Sequence, residues 1–206
     1  MYTKLLQTIN GLKNITISEE RKEELNSLIV YIQEKLNQQE VVALNFICTH
    51  NSRRSHFSQI WAQTLAAYFN VSNVYCYSGG TEATAMFSKV VDTLQLQGFC
   101  IQQLSDTSNP IYAIKNDDNN LPIIGFSKTF DHQFNPKSNF AAIMTCSSAD
   151  VGCPFVIGAE KKFSIRYDDP KVFDGTDFMN EKYISKSLEI ASEMAYVFSQ
   201  VVNLKN

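Results

Sequence analysis

The chain is poor in several residue types, and each scarcity excludes something. Among 206 residues there are five cysteines, three histidines, five prolines and one tryptophan. Cys48, Cys76, Cys100, Cys146 and Cys153 are odd in number and widely spread. That argues against a secreted disulfide framework and for the cytoplasm, where thiols stay reduced and a disulfide is transient and catalytic. The few histidines form no cluster, so no zinc site, and no metal or cofactor, is expected. Basic residues are not in excess: 18 Lys and Arg stand against 21 Asp and Glu, for a net charge of −3. A nucleic-acid surface would show the opposite balance. No apolar run reaches the roughly 18 residues of a membrane span. The N-terminal stretch, with Lys4, Lys13, Glu19 and Glu20, does not read as a secretory signal.

What is present suits one α/β domain with an added arm, since 44% of the residues are hydrophobic. Residues 1–39 read as a helical extension. Ser18 can cap a helix with Glu19 and Glu20 in its first turn, and Leu25, Leu28, Ile29, Ile32 and Leu36 recur at helical spacing. Residues 40–206 read as the main domain, interrupted by an insertion at about 107–138. Its apolar run at 41–48 is a strand buried on both faces, and Phe57, Ile60, Trp61, Leu65 and Phe69 mark one face of the helix that follows. A strand at 73–78, a helix at 83–97, a hairpin from 110–114 and 122–127, a strand at 140–146, a short strand near 163–166 and a helix at 179–201 complete the pattern. This alternation predicts an α/β fold with a doubly wound, mainly parallel sheet.

The chemistry concentrates where the first strand meets its helix. Cys48 ends the strand, Thr49, His50, Asn51, Ser52 and Arg53 form a polar loop, and Arg54 and Ser55 open the helix. The free N–H groups of such a loop and helix start can converge on a tetrahedral oxyanion. Arg54 adds a planar, bidentate partner for two of its oxygens. The same positive field favours a thiolate at Cys48, and Ser55 can donate a hydrogen bond to it. Asn51 suits an unusual backbone shape in the loop. The residues from Thr49 to Ser55 are therefore the expected substrate-binding set, with Cys48 as nucleophile.

This segment resembles the signature of the low-molecular-weight tyrosine phosphatase superfamily: a Cys, five residues, then Arg-Ser, between the first strand and first helix. The resemblance implies a four-stranded sheet flanked by helices, a nucleophilic role for Cys48 and oxyanion binding by Arg54. It also implies that Asp169, in the Asp169-Pro170 pair, is the general acid, with Asp168 the weaker candidate. Taken alone, that pair reads as a solvated turn. The chain departs from the family in having His50 where Gly is usual, Arg53 where the reductase branch often has Cys, and Lys171 after the Asp-Pro.

Six residues separate Cys146 from Cys153. That is not zinc-ligand spacing, and it permits a disulfide if the intervening loop folds back. Here the chain resembles thioredoxin-coupled arsenate reductases, which add a redox pair before the Asp-Pro loop; Cys146, Ala149-Asp150, Cys153-Pro154 and Asp169-Pro170 fall in that order. This implies an arsenate reductase with Cys48 as nucleophile, a Cys146/Cys153 relay and thioredoxin as the reducing partner. The alternatives are a phosphomonoester hydrolase working through a phosphocysteine, and a catalytically silent oxyanion-binding protein. Ser78 matches a family turn that helps bind potassium in some reductases, but Gln59 stands where a carboxylate would be expected. Cys76 and Cys100 read as small buried residues, and His56 and His132 as surface residues.

Overall fold

The computed structural model describes residues 1–153 and 155–202. The central strand β1 (Val42–Cys48) is buried along its whole length. It pairs in parallel with β2 (Val74–Gly80) on one side and β6 (Phe140–Met144) on the other, and β7 (Ala159–Ser164) extends the sheet beyond β6. The order β2-β1-β6-β7 is the expected four-stranded parallel sheet. Because side chains alternate along a strand, Val42, Leu44 and Phe46 enter the larger core while Ala43 and Ile47 enter a smaller one. The larger core lies under α3 (Arg54–Tyr68) and α6 (Met179–Gln200), which supply Phe57, Trp61, Tyr183 and Phe198.

The N-terminal residues form α1 (Thr3–Gly11) and α2 (Glu19–Asn37). Ser18 caps α2, accepting from the Arg21 N–H at 3.2 Å. Leu5, Ile9, Leu25, Leu28 and Ile32 join the larger core, so both helices bury their apolar faces on the main body.

Four details differ from expectation. The helix expected at 83–97 is α4 (Ser88–Leu96), because Phe87 is extended and donates its N–H to Ser52 O at 3.0 Å. The insertion is more than a hairpin. An unpredicted strand, β3 (Cys100–Gln103), pairs antiparallel with β4 (Tyr112–Lys115), which pairs with β5 (Ile123–Gly125). Cys100 is exposed on β3, a surface strand, and is not in the core. The loop expected after Cys146 contains a short helix, α5 (Ser147–Gly152).

The outer edge of β2 has no neighbouring strand in the main sheet, yet its polar groups are occupied. Gln63 accepts from Cys76 N at 2.8 Å and donates to Val74 O at 3.0 Å. Gln59 donates to Cys76 O and Ile124 O, each at 3.2 Å, and Asn135 donates to Ser78 O at 3.0 Å.

Candidate active site

Cys48 ends β1 at the carboxyl edge of the sheet, where the chain turns through α3 to β2 while β6 lies on the opposite flank. This is the switch point at which open α/β sheets bind ligands. The loop from Cys48 to Arg54 is shaped by where its carbonyls go. Cys48 O accepts from Thr81 N (3.1 Å), Thr49 O from Glu82 N (2.8 Å), and Ser52 O from Phe87 N (3.0 Å). His50 O accepts from Ser127 Oγ (2.9 Å) and Asn51 O from His56 Nε2 (2.9 Å). Arg53 O accepts from the first turn of α3. All described peptides are trans, and a trans peptide directs its N–H opposite its C=O. With the carbonyls engaged by the surrounding protein, the opposed N–H groups of Thr49 to Arg54 are left to the other side of the loop, an arrangement with the character of an anion nest. The N-terminus of α3 adjoins that side, where free helix N–H groups favour negative charge. Gly80 permits the packing: a Cβ there would stand 2.6 Å from Thr49 O and 2.8 Å from Asn51 N.

The sulfur has a hydrogen-bonding partner held in place by a buried network. Asn51 takes the left-handed conformation, φ 45°, and is fully buried. Its Oδ1 accepts from the Lys128 N–H at 2.9 Å, which fixes the amide so that Nδ2 donates to Ser55 Oγ at 2.9 Å. Ser55 Oγ therefore keeps its own hydrogen for Cys48 Sγ, 3.1 Å away. Lys128 had no signal in the sequence. Its side chain is buried, with Nζ 4.4 Å from the Phe126 ring centroid, 5.4 Å from that of Phe134, and 3.3 Å from Phe126 O. Burial pushes its amine down to about 7.

His56 is not the surface residue expected. It is completely buried beneath the loop, with Nε2 on Asn51 O and Nδ1 3.4 Å from Ser78 Oγ. Burial, then the Lys128 charge, push it down to about 3, so it is neutral at pH 7. Ser78 donates to Gln59 Oε1 at 2.7 Å. His132 is half-buried, its ring edge-on to Phe126. Cys76 is buried, and burial pushes its thiol far up. Among the described residues, no group of three or more His, Cys, Asp or Glu is placed to hold a metal ion. No described helix is long and apolar enough to cross a membrane.

Both loop arginines reach the segment after β7. Arg54 Nη1 donates to Tyr167 O at 2.9 Å, and Nη2 meets Asp169 Oδ2 at 2.5 Å. Asp169 Oδ1 accepts from Lys171 N at 3.0 Å and opens a 3-10 turn over Pro170–Phe173. Arg53, grouped in sequence with the substrate-binding set, contributes its main chain to the nest. Its guanidinium goes to Asp174 Oδ2 (2.6 Å) and Tyr183 Oη (2.5 Å). His50 is exposed at the mouth.

Cys146 lies at the rim. Its buried sulfur is 3.5 Å from Thr49 Oγ1 and accepts from Ala149 N at 3.4 Å, capping α5. Cys153, half-buried, follows the other end of α5, and Pro154 lies outside the described residues. Asp150 anchors α5 by pairing with Lys162, at 2.8 Å, and with Arg166. Burial alone would raise its carboxyl; hydrogen bonds from Lys162, Ser164 and Arg166 hold it down at about 2. Cys146 and Cys153 flank the two ends of the six-residue α5, a helix about 9 Å long and so longer than the roughly 7 Å between Cα atoms that a disulfide spans. The pair can join only if α5 unwinds.

An arsenate reductase of Staphylococcus aureus (strain Newman) is 32% identical over 126 residues, 61% of this chain and 76% of that protein. The chain belongs to the superfamily of low-molecular-weight tyrosine phosphatases and arsenate reductases. A second relative in this superfamily, arsenate reductase 2 of Staphylococcus epidermidis, is 30% identical over 125 residues, with the same coverages of 61% and 76%. The superfamily fold recurs in the low-molecular-weight phosphotyrosine phosphatase of Vibrio cholerae O395, with a TM-score of 0.52 at 15% identity over 77% of this chain and 94% of that one. No protein-family profile matches the chain.

Proposed function

We propose that this protein reduces arsenate to arsenite, with Cys48 as nucleophile, Cys146 and Cys153 as the electron relay, and a thioredoxin-type dithiol protein as reductant in the cytoplasm. The observation that carries this reading is the second thiol at the rim: Cys146 Sγ stands 3.5 Å from Thr49 Oγ1, the first loop residue after Cys48. Phosphomonoester hydrolysis has no use for it. The relatives at 32% and 30% identity are named arsenate reductases, which supports the same reading.

Arsenate enters the nest and takes Arg54 from Asp169. The Cys48 thiolate attacks arsenic, forming an S–As bond, and a hydroxide leaves as water with a proton from Asp169. The Cys146 thiolate then attacks Cys48 Sγ. The S–As electron pair stays with arsenic, As(V) becomes As(III), arsenite departs, and a Cys48–Cys146 disulfide remains. Cys153 attacks Cys146 as α5 unwinds, freeing Cys48, and the external dithiol reduces the resulting Cys146–Cys153 bond. Residues 40–206 form the catalytic unit in this scheme. Residues 1–39 brace it: Arg21 of α2 donates to Arg166 O at 3.1 Å and lies 5.1 Å from the Tyr167 ring centroid, just before the acid loop.

The test is arsenite formation with thioredoxin, thioredoxin reductase and NADPH for wild type, Cys146→Ser and Cys153→Ser. Sustained turnover is expected for wild type, none for Cys146→Ser, and about one turnover for Cys153→Ser. Sustained arsenate turnover by Cys146→Ser would overturn the relay. Hydrolysis of a phosphomonoester without arsenate reduction by wild type would make the protein a phosphatase.

A further inference from the structure

Adjacent loop arginines grip two carboxylates five residues apart on one segment, Asp169 and Asp174. Their circumstances differ. Arg54, assigned above to the oxyanion, must release Asp169 when substrate arrives. Arg53 belongs to a closed ring of hydrogen bonds: its Nε donates to Tyr183 Oη at 2.5 Å, Tyr183 donates to Asp174 Oδ1 at 2.6 Å, and Arg53 Nη2 donates to Asp174 Oδ2 at 2.6 Å. The guanidinium also stacks over the Phe87 ring, 4.2 Å from its centroid, and Phe87 donates its N–H to Ser52 O of the loop. Tyr183 is wholly buried in the core, so the ring is fixed to the body of the protein. No part of it is needed by an anion in the nest.

We propose that Arg53 is a positioning residue, whose grip on Asp174 and Tyr183 holds the acid loop over Cys48 while substrate takes Arg54 away from Asp169. Without this second tether, displacing Asp169 would leave the 169–174 segment held chiefly by buried Pro170 and its packing on α6, and the proton donor could swing away as the oxyanion entered. With it, Asp169 is released from its counterion but kept within reach. A partly buried guanidinium that gives one N–H to Tyr183 and another to Asp174 while stacked on an aromatic ring suits Arg over Lys. The inference rests on the roles proposed above for Asp169 and Arg54, and its test has a readout independent of turnover.

Arg53→Met keeps the aliphatic stem, and Asp174→Asn keeps the shape while removing one charge. With inorganic phosphate filling the nest, amide hydrogen exchange across 169–174 should stay slow in wild type and quicken about tenfold or more in either variant. In arsenate turnover, each variant should lose about tenfold in kcat with KM little changed, and its kcat–pH profile should lose the dependence on the acid. The double variant should be no worse than either single one, and Arg53→Lys should recover part of the loss. Alkylation of Cys48 by iodoacetamide should be unaffected. Unchanged exchange in both variants would overturn the clamp, as would a loss confined to KM or matched by slower alkylation, which would mean that Arg53 only shapes the nest. If Arg53→Met does not fold, Asp174→Asn carries the test. Absence of wild-type arsenate turnover would count against the assigned reaction alone, since the exchange measurement still decides the clamp.

Discussion

The two thiol-bearing regions of this protein are built in opposite ways. The Cys48 loop is over-determined: its carbonyls are taken up by Thr81, Glu82, Phe87, Ser127 and the first turn of α3, Asn51 is wedged between Lys128 and Ser55, and both arginines are paired. The Cys146–Cys153 segment is a helix of six residues, pinned chiefly by Asp150, and its surroundings expose Val151, Phe155 and Ile157. A site that must present donors at fixed distances cannot reorganise during the reaction, because preorganisation is the source of its electrostatic benefit. A relay that must bring two sulfurs together from the two ends of a helix cannot be rigid. The contrast in anchoring is what the proposed chemistry requires of each.

Experiments can break this contrast from either side. The largest expected effect comes from the rigid side: Cys48→Ser should remove arsenate turnover by at least about a thousandfold, because it removes the atom that binds arsenic. Asn51→Ala should follow. It leaves a left-handed position without the residue that tolerates it and strips a buried donor and acceptor, for a loss of about 2–4 kcal/mol in denaturant unfolding. Iodoacetamide alkylation of Cys48 should also slow, because Ser55 is no longer oriented.

Lys128→Met sharpens the picture from beneath. Burial holds the folded-state amine at about 7, below its ordinary 10.5. Between those values the unfolded chain binds the additional proton, so this group makes stability rise with pH across that window; below about 7 its full cost is present. The variant should therefore melt higher than wild type at pH 7, with the difference shrinking toward pH 10.5. A lower melting temperature at pH 7 would show that the aromatic contacts outweigh the burial of charge.

The smallest effect belongs to the loose side. Asp150→Asn should speed exchange of the 147–153 amides about tenfold, the worth of roughly 1.4 kcal/mol, while leaving exchange in the Cys48 loop unchanged. The same anchor has a pH signature. Its carboxyl is held at about 2, below the ordinary 3.8, so its stabilisation is complete above pH 3.8 and is lost as pH falls through 2. Acid should open α5 in wild type over that range and not in the variant.

Much of the rigid side was legible in the sequence because it is local. A strand, Cys48, a polar loop and Arg54-Ser55 lie within consecutive residues, and Asn51 carried its own hint of a left-handed turn. What the sequence hid depends on distant partners. Lys128 belongs to no motif, and only the fold brings its main chain between Gly80 of β2 and Asn51. Arg53 reads as a second substrate arginine until Asp174 and Tyr183 are seen to claim it. His56 reads as a surface residue because the stripe of Phe57, Ile60, Trp61 and Leu65 marks one buried face, whereas α3 lies between the sheet and α6 and is buried nearly all round, its polar residues included. On the loose side, α5 is too short to show a helical period, and β3 offers no alternation because three of its four residues are exposed.

The two amides on the border of β2 bear on how the molecule behaves in a crowd. An unoccupied strand edge invites another chain to continue the sheet, the usual route to fibres and swapped assemblies. Gln63 and Gln59 answer the main chain there as a neighbouring strand would, but end the pattern after one step. Replacing both with leucine would keep the bulk and reopen the seam, and the cost should appear as precipitation on concentration even where folding and chemistry survive.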